Sequence, residues 1–182
     1  MFLTMKCGAT VYFADKDALK GTLINTLLEV RPTRFLGVPR VYEKMHEKMM
    51  AIGAQTTGVK RLIATWAKGA TLQHWLDWID GKNSESLQYR TARYLLMSRI
   101  KQALGLDRCN TFASAAAPLS PEIKRYFLSI DMPIIEAFGM SETSGAHCLG
   151  ATSAFNLDTI GKHLDGLQTQ IINKDELGHG EV

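Results

Sequence analysis

No stretch of the sequence approaches the ~20 apolar residues that a membrane-spanning helix needs. The opening Met1-Phe2-Leu3-Thr4-Met5-Lys6 is short and lacks the order of a secretory signal. The chain is therefore expected to be cytoplasmic. Peripheral contact with a membrane such as the endoplasmic reticulum stays compatible with this, because a basic amphipathic helix can lie on lipid without crossing it. Cysteine is scarce: Cys7, Cys109 and Cys148 are odd in number, far apart and free of any C-x-x-C or Cys/His ligand spacing. That argues for reduced thiols and against a structural zinc site. Net charge is small as well. A formal +3 with Lys and Arg scattered along the chain is not the electrostatic footprint of a nucleic-acid binder. Internal repeats and low-complexity segments are missing too. What is present is the composition of a globular domain, 46% hydrophobic and 21% charged over 182 residues, enough for one sizeable core.

Hydrophobic periodicity divides the chain in three. In the first part, Thr10-Val11-Tyr12-Phe13 reads as a strand, and Leu19, Leu23, Leu27 and Val30 recur at helical spacing until Arg31-Pro32 stops them. Phe35-Leu36-Gly37-Val38 is a second strand, closed by Pro39, after which Val41-Tyr42-Glu43-Lys44-Met45 opens another helix. The βαβα order predicts a mainly parallel sheet flanked by helices. From about 57 to 106 strand signals vanish. Leu62, Trp66 and Ala70, then Leu95, Ile100 and Leu104, predict a helical insertion with a turn at Asp80-Gly81-Lys82-Asn83-Ser84 and a stop at Gly105. Trp66, Trp75 and Trp78 could line a ligand pocket, but aromatics at helical spacing are more often core, where they are expected. The last part returns to α/β: a strand ending at Thr111-Phe112-Ala113, a helix opened by Ser120-Pro121-Glu122, and a strand over Pro133–Phe138. A final strand is predicted over Leu167–Ile172, running into a turn at Asn173–Gly178.

Two loops carry the chemistry. Ser114-Ala115-Ala116-Ala117-Pro118-Leu119 lies between a strand end and a helix start, where small side chains let a planar ligand approach the backbone at the carboxyl edge of a parallel sheet. Close packing alone also explains small residues there. Phe138-Gly139-Met140-Ser141-Glu142-Thr143-Ser144-Gly145 joins an aromatic face, a glycine, hydroxyls and one carboxylate within eight residues. A ring can stack on Phe138, Ser141 or Thr143 can donate to a phosphate oxygen, and Glu142 is a hard oxygen ligand of the kind Mg2+ takes beside phosphates. The alternative is a polar loop with a solvated Glu.

Phe-Gly-Met-Ser-Glu-Thr at 138–143 resembles the Tyr-Gly-x-Thr-Glu motif of the adenylate-forming superfamily of acyl-CoA synthetases, luciferases and peptide synthetase adenylation domains. Ser-Ala-Ala-Ala-Pro-Leu at 114–119 stands where that family has Ser-Gly-Ala-Ala-Pro-Leu, and Thr159-Ile160-Gly161-Lys162 resembles its Ser-Val-Gly-Lys. Thr33–Lys44, with Val38-Pro39 before a helix, and Lys20-Gly21-Thr22-Leu23 are similar to the long-chain fatty acyl-CoA synthetases, the bubblegum group above all. The resemblance implies part of an N-terminal AMP-binding domain over 1–182. It also implies substrates: a fatty acid, ATP with Mg2+, and CoA. Carried over residue by residue, it implies that Ala115, Ala116, Ala117 and Pro118 line the adenine, that Phe138 stacks on the base, and that Gly139 and Met140 are nucleotide-binding residues beside it. Ser141 then contacts the α-phosphate and Glu142 holds Mg2+, the two acting as catalytic residues. Part of the acyl tunnel would come from the Val38-Pro39 region and the helical insertion. His147 could approach substrate or serve as a local hydrogen-bonding residue.

Two positions depart from the family pattern inside the motifs. Ala115 replaces Gly, where a side chain could crowd the base or forbid a positive φ, and Phe138 replaces Tyr, keeping the stacking face without the hydroxyl. The Ser/Thr/Gly-rich phosphate loop with its Lys is not found in the sequence. The resemblance would place it upstream of Met1, and the Thr-Gly-Asp and the terminal lysine after Val182. The chain is therefore expected to be a fragment that does not complete the ligase reaction alone. The alternatives are a non-catalytic truncated interaction module, or a fragment of an adenylate-forming enzyme for another carboxylic acid.

Overall fold

The computed structural model describes residues 6–82, 85–151, 155–177 and 180. Among them the chain forms α1 (Leu23–Val30), β1 (Arg34–Gly37), α2 (Pro39–Ala54) and α3 (Gly58–Ile79), then α4 (Leu87–Ala92), a π-helical turn over Arg93–Met97 and α5 (Ser98–Ala103). There follow β2 (Thr111–Ala115), α6 (Pro121–Ser129), β3 (Ile134–Met140), β4 (Gly145–Leu149) and β5 (Lys162–His163). The strands stand in one sheet in sequence order. β1–β2 and β2–β3 pair parallel, while β3–β4 and β4–β5 pair antiparallel. Four strands thus share one direction and β4 opposes them, so the α/β fold with a mainly parallel sheet flanked by helices is present. The two parallel crossovers need intervening chain, and the helices between β1 and β2 and between β2 and β3 supply it.

Local chemistry sets the element ends. Arg31 caps α1 in the left-handed region (φ 45°), its N–H reaching Leu27 O at 2.8 Å, and Pro32 prevents continuation. Ser120 caps α6 through Oγ, which accepts from Ile123 N at 3.3 Å, with Pro121 at the first helical position. Gly105 ends α5: its φ is +69°, Leu106 N reaches Lys101 O at 2.8 Å, and a Cβ there would lie 2.4 Å from the Leu27 carbonyl.

Successive strand residues feed different clusters. Phe112 and Ile134, which pair in register, join Leu27, Tyr42, Met97, Leu106, Phe127 and Ile130. Their neighbours Ala113 and Ile135 pack with Leu128, Phe155, Leu157, Trp75 and Ile79. This is the period of two expected where a sheet is covered on both faces. Tyr42 is fully buried, donates its hydroxyl to Ala113 O at 2.9 Å and meets Phe35 and Phe127 edge-on.

Some predicted elements differ. Residues 9–15 form no regular secondary structure, and Val11, Tyr12 and Phe13 are exposed, so no strand forms at Thr10–Phe13. Leu167–Ile172 carries only an isolated bridge at Ile172, and the edge strand is instead Lys162–His163. Helices fill the 58–103 region, but α3 buries Ala67, Thr71 and His74 rather than the Leu62/Trp66 face. Trp66 is exposed, Trp75 packs beneath the sheet and Trp78 is half-buried. The predicted turn at 80–84 is seen at Asp80 and Gly81, while Asn83, Ser84, Gly178 and the first five residues lie outside the described residues.

Candidate nucleotide site

β2 ends at Ala115, while β3 runs on to Met140. Ala115 pairs with Ala137 in parallel register, so the Ala116–Pro118 loop and Phe138 leave the same carboxyl edge of the sheet. Ala116, Ala117 and Pro118 are exposed, whereas Leu119 tucks into the core at 3% exposure. Ala115 itself is the last strand residue, in extended backbone, so the Gly-to-Ala departure is accommodated without a positive φ. The strained residue is Ala116, with φ +79°. Left-handed backbone at an L-residue costs roughly 1–2 kcal/mol and persists only where surroundings hold it.

Phe138 is half-buried, and its ring meets His147 edge-on, with centroids 6.3 Å apart and planes at 88°. His147 is 5% exposed and its Nε2 lies 2.7 Å from Thr169 Oγ1. On β4 it thus makes a local hydrogen bond through Nε2, while its Nδ1 has no partner among the described residues. Gly139 has to be glycine: a Cβ there would stand 2.0 Å from Gly145 O, at a register shift between β3 and β4 that lets the hairpin close tightly.

The tip is a 3-10 turn at Ser141–Thr143. The Thr143 hydroxyl is committed to that turn: it accepts from Met140 N at 3.2 Å and lies within donating distance of Met140 O (2.9 Å) and Gly145 O (2.8 Å). Ser141 and Glu142 are exposed, and among the described residues neither side chain has a hydrogen-bond or ion-pair partner. Of the two hydroxyls the sequence offers for a phosphate, Ser141 is the free one. Among the described residues no group of three or more His, Cys, Asp or Glu could hold a metal. A single exposed carboxylate suits Mg2+, which takes one or two protein carboxylates and completes its shell with substrate phosphates and water.

Sequence reasoning passed over two buried charges beneath the loop, Lys124 and Glu136, which contact each other at 2.7 Å. The Lys in a helix face Lys124/Phe127/Leu128 and a Glu inside an apolar strand were signals of an internal pair. A separate cavity of about 630 Å³ lies toward the opposite ends of β2 and β3, lined by His74, Trp75, Trp78, Arg93, Lys101 and Asp131 among others. Asp131 closes its wall, accepting from Trp75 Nε1 (3.2 Å), Tyr89 Oη (2.9 Å) and Lys101 Nζ (2.7 Å). Val38 and Pro39 do not line it, and its charged lining is not that of an acyl tunnel.

With this geometry in hand, similarity to known proteins is informative. The chain matches the AMP-binding enzyme family over residues 1–182. It is 46% identical to long-chain-fatty-acid–CoA ligase ACSBG2 of Gallus gallus over 182 residues, which is 100% of this chain and 24% of that protein. ACSBG2 of Homo sapiens is 40% identical over 182 residues, again 100% of the chain and 27% of the relative. Long-chain-fatty-acid–CoA ligase ACSBG1 of Mus musculus is 38% identical over 175 residues, 96% of the chain and 24% of the relative. The chain thus spans about a quarter of the length of these curated relatives. No solved structure matches it. The chain belongs to the AMP-binding enzyme family.

Proposed function

We propose that this chain forms the adenine wall and the Mg2+ carboxylate of a long-chain-fatty-acid–CoA ligase that activates its substrate as an acyl adenylate using ATP and Mg2+, and then forms acyl-CoA. The observation that carries the proposal is the parallel pairing of Ala115 with Ala137, which puts the small-residue loop and the Phe138–Glu142 segment on one edge. On this reading Ala115–Pro118 line the base and Phe138 presents its ring to it, with Gly139 and Met140 holding the hairpin. Ser141 donates to the α-phosphate and Glu142 binds the metal. Bound Mg2+ would supply charge neutralisation at the phosphates. The residues themselves position: a half-buried aromatic ring, a free hydroxyl and a free carboxylate lie along one continuous segment. The sequence contains no lysine-bearing phosphate loop, so the 182-residue chain by itself is expected to bind rather than to turn over. A non-hydrolysable acyl-adenylate mimic titrated into the purified chain tests this. Saturable binding abolished by Glu142 or Phe138 substitution supports the site, and its absence supports a non-catalytic interaction module.

The proposed compartment is cytoplasmic, with contact at a lipid surface through α3. Among the described residues no helix is long and apolar enough to cross a membrane. Val59, Leu62, Ile63 and Trp66 nevertheless lie exposed at i, i+3, i+4 and i+7, and no acidic residue occurs between Lys48 and Asp77. Flotation with anionic vesicles, lost in Leu62→Asp, is the expected outcome. Flotation unchanged by that substitution would remove α3 from the proposal.

A further inference from the structure

Beneath the small-residue loop lies an ion pair that the nucleotide reading leaves unused. Glu136 is 7% exposed and Lys124 4%. Lys124 Nζ meets Glu136 Oε2 at 2.7 Å and also donates to the Leu157 carbonyl. The second carboxylate oxygen, Oε1, accepts the Leu119 N–H at 2.8 Å. Glu136 also holds two neighbours through its backbone, pairing with Ser114 in β2 and accepting from Gly150 N at 2.8 Å.

Stability alone is a poor reason for such a pair. Desolvating two charges costs several kcal/mol each, and apolar replacements of buried pairs are often neutral or better. What an apolar pair cannot do is accept the Leu119 N–H. That amide terminates the loop whose Ala116 sits at φ +79°, and the residue is only 3% exposed, so water does not readily replace the lost acceptor. The backbone of Leu157, two residues before the Thr159–Lys162 motif, is tied to the same ammonium.

We propose that Lys124 and Glu136 are positioning residues of the nucleotide site. Glu136 fixes the Ala115–Pro118 loop through the Leu119 N–H, and Lys124 fixes Glu136 and the 157 backbone. The proposal rests on the nucleotide reading given above. Neither side chain touches nucleotide; both act through the backbone at Leu119, which ends the loop that lines the base.

The test compares two neutral double variants of the chain, so that no unpaired charge is left buried. Lys124→Met/Glu136→Gln keeps a side-chain oxygen for Leu119 N, and Lys124→Met/Glu136→Met removes it. Hydrogen exchange at the Leu119 amide and binding of an acyl-sulfamoyl-adenosine mimic are read on the folded fraction of each. The Gln double is expected to keep Leu119 protected and to bind within about threefold of the parent chain. The Met double is expected to lose protection and to bind about tenfold more weakly. Equal affinity in the two doubles overturns the positioning role, since a merely structural pair would change folding and leave binding by folded molecules alone. Leu119 exchanging as fast as Ala117 in the unsubstituted chain overturns it too, whether or not either double folds. A parent chain that shows no saturable binding refutes the nucleotide reading instead, an outcome distinct from both.

Discussion

Glu142→Gln separates a metal ligand from a structural carboxylate, because the structure gives this side chain nothing to hold. It is exposed, in a turn closed by backbone bonds and by the Thr143 hydroxyl, with no partner of its own among the described residues. Neutralising it should change unfolding free energy by no more than about 0.5 kcal/mol, the usual range for surface positions away from specific interactions. The metal side is different. Two unit charges 4 Å apart in water interact by about 1 kcal/mol, so a divalent cation doubles this to about 2 kcal/mol, or roughly thirtyfold in affinity, and lower local polarity raises it further. The assay is calorimetric titration of the Mg2+ complex of ATP into both proteins, beside urea unfolding of the same preparations. If the Gln variant loses more than about 2 kcal/mol of stability while its Mg2+-dependent binding is unaltered, Glu142 is a structural carboxylate and the reasoning fails.

Four further substitutions probe the hairpin and the core. Ser141→Ala should weaken binding of a phosphate-bearing ligand while leaving stability intact, whereas Thr143→Val should destabilise the chain by about 1–3 kcal/mol, because the Met140 N–H loses its acceptor and one carbonyl, of Met140 or Gly145, loses its donor; paired denaturation and binding curves check this. Gly139→Ala must displace the Gly145 backbone, which a Cβ would approach to 2.0 Å. A loss of at least about 2 kcal/mol, with the β3–β4 amides deprotected in hydrogen exchange, is expected. Burial pushes the Cys109 thiol up to about 11, above its ordinary value, so the folded state resists ionisation that the unfolded chain undergoes. The stability it contributes is complete below the unfolded value and is lost as pH rises toward 11. Cys109→Ala should therefore be less stable than the parent chain at neutral pH, because it empties a core position, and the difference should narrow only in alkaline solution, where the parent alone loses stability; a thiol reagent should label exposed Cys7 well before Cys109.

The parts of the fold readable from sequence were those where local chemistry and burial agree. Ser120-Pro121 opened a helix, Arg31-Pro32 and Gly105 closed helices, and the apolar run at Ile134–Phe138 became a strand buried on both sides. The misread parts were those where tertiary packing overrides local preference. Thr10–Phe13 has strand-forming residues, but the described chain gives it no neighbour to pair with, and propensity without pairing makes no strand. In α3 the apolar face Leu62/Trp66 is left outside, while Ala67, Thr71 and His74 are buried, because small residues let the helix approach α4 closely, and His74 stacks on Tyr89 at 3.7 Å. At the site, the loops were legible through their motifs. Their support was not: Lys124 and Glu136 are twelve positions apart and meet only because α6 folds back over β3.

The central claim is that the β2–α6 loop and the Phe138–Glu142 segment form one nucleotide site. It is tested most directly by titrating the acyl-adenylate mimic into the chain and into Phe138→Tyr and Phe138→Ala, with denaturant unfolding on the same samples. Stacking needs a π-face and no hydroxyl, so the Tyr variant should bind within about twofold of the parent chain, while the Ala variant should lose roughly 1–3 kcal/mol of binding. A half-buried ring that served only the core gives the reverse: about 3 kcal/mol or more of folding stability lost in the Ala variant, with mimic affinity unchanged in the molecules that remain folded.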